Sequence, residues 1–79
     1  MNNGDRYVKL VEWSDEDACF IGSCPELFYG GCHGTDAKAV FAELCEVVEE
    51  SIALYELDGR ELPKPTPGRE FVNALQRPA

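Results

Sequence analysis

The sequence predicts an α+β domain in which a three- to four-stranded antiparallel sheet packs on one long helix. Two observations predict it. Between Tyr7 and His33, short β-branched and aromatic stretches alternate with turn residues. From Asp36 to Leu57 a single amphipathic run follows, bounded by a capping signal and a Gly/Pro stop. Seventy-nine residues suffice for one small domain, whose core is marginal unless a second subunit or another staple adds to it.

Tyr7–Trp13 (YVKLVEW) reads as the first strand. Val8 and Leu10 fall on one of its faces, and Tyr7, Val11 and Trp13 on the other, so both faces are partly apolar. Ser14–Asp17 is a polar turn. Ala18–Ser23 is the antiparallel return strand, with Gly22 at a bulge or a close contact. Pro25 cannot donate to a ladder, so this strand ends by Cys24. Phe28–His33 is the third strand, and its Gly30-Gly31 pair marks a bend.

Gly34, Thr35 and Asp36 announce the helix. Thr35 or Asp36 accepts the free N–H groups of the first turn. On a 100° wheel Ala37, Val40, Phe41, Leu44, Cys45, Val47, Val48, Ile52, Leu54 and Tyr55 occupy one half. Lys38, Glu43, Glu46, Glu49, Glu50 and Glu56 occupy the other. Gly59 is a left-handed stop and Pro63 ends any continuation. Residues 60–68 form a Pro-rich connector, and Arg69–Leu75 reads as a fourth edge strand or a short helix.

A helix of this length runs about 33 Å, whereas a seven-residue strand spans about 23 Å. The helix therefore overhangs its sheet. Leu54, Tyr55 and Leu57, together with Trp13 on the two-faced first strand, are the expected contacts of a homo-oligomer, a dimer or a tetramer of dimers.

Charge narrows the partners. The net charge is -8, and residues 36–58 carry seven carboxylates against the lone Lys38. Phosphate backbones are bound by basic surfaces, so this chain suits a basic protein instead. Charges interrupt every apolar run, so no membrane association is expected. MNNGDRYVK lacks the pattern of a signal peptide, which points to the cytoplasm and to free thiols at Cys19, Cys24, Cys32 and Cys45.

Enzyme chemistry finds no constellation. Neither GxxxxGK[ST] nor GxGxxG is present. Asp15-Glu16-Asp17 lacks calcium-loop spacing and reads as a solvated hairpin tip. Cys24, Cys32 and His33 lack the paired short spacing of zinc ligands, so no metal or other cofactor is expected. His33 has no orienting acid beside it in sequence, and no catalytic residue is assigned.

Four motifs stand in order along the chain: Pro25-Glu26-Leu27, Gly31-Cys32, Gly34-Thr35 before the helix, and Leu62-Pro63-Lys64-Pro65. In this order, with these element lengths, residues 7–66 resemble the N-terminal domain of HicB-type antitoxins. The resemblance implies a β-β-β-α-β unit described as partial ribonuclease-H-like, here in stand-alone form. Residues 1–66 would be the HicB-like domain and 67–79 a tail or edge strand. Family members often continue into a DNA-binding segment, and none is expected here, so neither is direct DNA binding.

The resemblance implies a non-catalytic antitoxin that neutralises a small basic RNA-cleaving toxin of HicA-like type. Pro25, Phe28 and Tyr29 in the loop, and Glu43, Glu46 and Glu50 on the helix, are the expected partner contacts. The alternative is a nucleic-acid-associated regulator that stacks bases on an aromatic sheet face formed by Tyr7, Trp13 and Phe28 or Tyr29.

Overall fold

Three antiparallel strands, β1 (Leu10–Ser14), β2 (Cys19–Cys24) and β3 (Phe28–Gly34), form a sheet in the order β1-β2-β3, and one helix, α1 (Ala37–Leu57), lies across it. A short 3-10 turn, Asn3–Arg6, precedes the sheet. This computed structural model describes residues 3–65. Residues 69–75, read as a fourth strand or short helix, lie outside the described residues. No helix among them is long and apolar enough to cross a membrane.

The register assigns the faces. Val11 pairs with Gly22 and Trp13 with Phe20, and across β2 those two pair with Cys32 and Gly34. Directly opposed residues share a face, so these side chains look toward α1. Leu10, Glu12 and Ser14, with Ile21 and His33, look the other way. Pro25 ends β2 as expected, and the register shifts between Gly22 and Cys24. Gly22 also marks a close approach: a Cβ there would lie 2.7 Å from Cys32 Sγ and 3.2 Å from Val40 Cγ1. The helix rests on the backbone of β2 at this point. Gly30 takes a left-handed φ of 68°, which supplies the bend in β3.

The expected start of the first strand is corrected. Tyr7 is not in β1, which begins three residues later. The Tyr7 N–H donates to Gly4 O, and Lys9 Nζ donates to both Gly4 O and Tyr7 O. This knot turns Tyr7 into the core, where its hydroxyl donates to Pro63 O. The apolar face of α1 is also narrower than its wheel. Only Val40, Leu44, Val48 and Ile52 are buried, a single stripe at four-residue spacing. Three short strands are too narrow to cover a half-cylinder, so Phe41 protrudes, while Leu54, expected beyond the sheet, is exposed as well.

Both ends of α1 follow their signals. Asp36, rather than Thr35, is the N-cap, and its carboxylate accepts from Ala39 N at 3.1 Å. At the other end Arg60 N donates to Tyr55 O, Gly59 N donates to Glu56 O, and Gly59 is left-handed at φ 67°. These are the paired bonds of a glycine C-cap. Beyond it Leu62 packs back against the core.

Candidate functional site

The two-layer plan separates the expected partner contacts. Glu43, Glu46 and Glu50 are exposed on the outer side of α1. Tyr29 is 78 % exposed and belongs to the opposite side of the molecule, where its hydroxyl donates to Glu12 Oε1 at 3.1 Å. That bond runs from β3 over β2 to β1, so the ring lies across the open sheet face. The loop and helix contacts thus form two surfaces. Pro25 is exposed at the loop, whereas Phe28 is half-buried against the core and its ring occupies the space where a Gly31 Cβ would sit.

The acidic side of α1 is almost bare of cations. Lys38 is its only basic residue. Glu49 is engaged: its carboxylate accepts from Gly4 N at 3.0 Å and ties the N-terminal turn to the helix. Glu43, Glu46 and Glu50 form no ion pair; Arg60 and Asp58 form one at 3.6 Å, out in solvent.

A shallow depression of about 400 Å3 opens on the other face, lined by Asp17, Cys19, Ile21, Tyr29, Gly30, Cys32 and His33. Asp17 closes one end. Its carboxylate accepts from Ser14 Oγ at 3.2 Å, and its N–H donates to the same oxygen. Tyr29 forms a wall. Its bond to Glu12 raises the phenol pKa above 10.0, because ionisation would place two negative charges together. Sequence reasoning singled out Tyr29 but not Glu12, Asp17 and His33 as its neighbours. The strand alternation of 21 and 33 was the available signal; the reach of Tyr29 across two strands was not.

The same alternation takes Cys32 and His33 to opposite faces. Cys24 and Cys32 are buried in the core, Cys32 donating to Val40 O at 3.6 Å, while His33 is exposed. Burial raises both thiols above their ordinary 9.0, with Glu26 adding to Cys24 and Glu43 to Cys32. The three cannot converge on one ion. Among the described residues no group of three or more His, Cys, Asp or Glu side chains could hold a metal.

The aromatic residues do not form one platform. Tyr7 is in the core, and Trp13 meets Phe20 edge-on at 5.1 Å on the helix side. Trp13 Nε1 donates to Asp15 Oδ1 at 2.9 Å. Of the expected oligomer contacts, Trp13, Leu54 and Leu57 are exposed, while the Tyr55 ring is covered by the Arg60 guanidinium at 4.2 Å. Compared with family models, curated proteins and solved structures, the chain matches none of them.

Proposed function

We propose that this protein is a non-catalytic, antitoxin-like binding module whose partner is a small basic RNA-cleaving protein of HicA-like type. One observation carries the reading: Glu43, Glu46 and Glu50 stand exposed along α1 with no ion pair and a single lysine on the whole helix. Exposed carboxylates held in one row repel one another, a cost that a basic partner relieves. The motif order of residues 25–65 supports the same class of protein, and the net charge of -8 supports the sign of the partner.

The nucleic-acid reading has less support. Only Tyr29 of its aromatic set lies on the open sheet face, and it lies there against Glu12. A base stacked on Tyr29 would bring its phosphate toward carboxylates.

The test is a charge reversal at Glu43, Glu46 and Glu50 to lysine, followed by association kinetics with a small basic ribonuclease of HicA-like type. The on-rate should fall at least about tenfold at low salt and lose its salt dependence, with the fold intact. An unchanged on-rate would remove α1 from the account.

A further inference from the structure

We infer that the depression on the open sheet face is a seat for one arginine side chain of a basic protein partner. This rests on the reading of the chain as a binder of such a protein, and it adds where that partner is gripped. The acidic row on α1 acts at a distance, through a field that reaches about 8–10 Å in physiological salt. A grip needs contact, and the opposite face has the parts.

Tyr29 is 78 % exposed but not free, because Glu12 holds its hydroxyl at 3.1 Å. A phenol that donates to a carboxylate has a more electron-rich ring, which attracts a cation over its face. Holding the ring beforehand lowers the entropy lost on binding. At the far end Asp17 presents its carboxylate, held in place by the two bonds to Ser14. Cys19 and Ile21, between them, offer an apolar bed for an aliphatic stem. No lysine or arginine lines the depression.

Arginine fits better than lysine. Its planar guanidinium stacks on the Tyr29 ring while Asp17 adds negative charge across the depression, whereas an ammonium is a compact, strongly hydrated point charge. A phosphate is the wrong ligand, because Asp17 and Glu12 repel it.

The experiment titrates 15N-labelled protein with three probes: acetyl-Arg-Gly-Arg-Gly-Arg-amide, its lysine counterpart, and a short single-stranded RNA. The arginine peptide should shift the amides of Asp17, Ile21, Tyr29 and His33, and bind at least about threefold more tightly than the lysine peptide. Tyr29→Ala and Asp17→Asn should each weaken it about five- to tenfold. Both residues are exposed, so undisturbed amide dispersion elsewhere confirms that the variants fold. The Glu43→Lys, Glu46→Lys, Glu50→Lys variant should leave the same sheet amides shifting.

Shifts centred on 43, 46 and 50 would overturn the seat while keeping the basic-partner reading. No sheet-face shift at millimolar peptide would also overturn the seat. RNA shifting the sheet amides more strongly than the arginine peptide would overturn both.

Discussion

The Tyr29 hydroxyl donates to Glu12 Oε1 at 3.1 Å, joining the two edge strands across the one between them. The bond orders an exposed aromatic ring on the side of the sheet away from α1. It also sets the titration of Tyr29, whose phenol pKa is raised first by this bond and then by the Glu12 charge. Glu12→Gln should bring Tyr29 back toward 10.0, read from its ring resonances through an alkaline titration. An unchanged Tyr29 midpoint would mean that the bond does not persist in solution.

Gly22 should tolerate no side chain larger than hydrogen. A Cβ there would press on Cys32 Sγ and Val40 Cγ1 and lift α1 from β2. Gly22→Val should cost about 2–3 kcal/mol, measured by urea unfolding. Gly30→Ala is the control. Space around Gly30 is open and only its φ of 68° resists, so the cost should stay near 1 kcal/mol. Equal costs at the two sites would contradict the seat of the helix on β2.

Stability should fall as pH rises above about 9. Tyr7, Cys24 and Cys32 all have folded-state pKa values raised by burial, from 10.0 for the phenol and 9.0 for the thiols. In the unfolded chain they ionise at the ordinary values while the folded chain still holds the protons. Between the two values the unfolded state is therefore favoured, and the stabilisation present below pH 9 is lost. Tyr7→Phe also loses the bond to Pro63 O. It should cost about 1 kcal/mol at pH 7 and flatten the alkaline limb in thermal melts. A melting temperature that stays flat or rises from pH 8 to 10.5 would contradict this.

Self-association should run through the apolar residues that α1 and the sheet leave outside. Trp13, Leu54 and Leu57 are 50 %, 59 % and 82 % exposed. Light scattering at micromolar concentration should give a dimer or tetramer. Leu54→Glu with Leu57→Glu should shift it toward the 8.8 kDa monomer. A monomer in the unaltered protein would assign these leucines to another contact.

The sequence made the layout legible where local rules dominate. Pro25 ended β2, Asp36 capped α1, and Gly59 closed it, because each of these is decided within a few residues. It was less informative where distant parts meet. Tyr7 has strand propensity, yet Lys9 and the Gly4 carbonyl fold it into the core, 56 residues from its Pro63 partner. The wheel placed Phe41 inside, whereas the short sheet left it exposed. Ala18 takes a left-handed φ of 53°, a turn conformation that its residue type does not announce. The partner residues were legible as types. That Tyr29 and the Glu43–Glu50 row lie on opposite faces follows only from the fold.

The deciding measurement mixes the purified protein with the product of the adjacent gene, expected to be a small basic ribonuclease, and follows RNA cleavage as the ratio is raised. Cleavage should fall to zero at a fixed stoichiometry, the complex should weaken with salt, and the protein alone should neither cleave nor shift the RNA. Undiminished cleavage at excess protein, together with tight, salt-resistant binding of the protein to RNA, would contradict it.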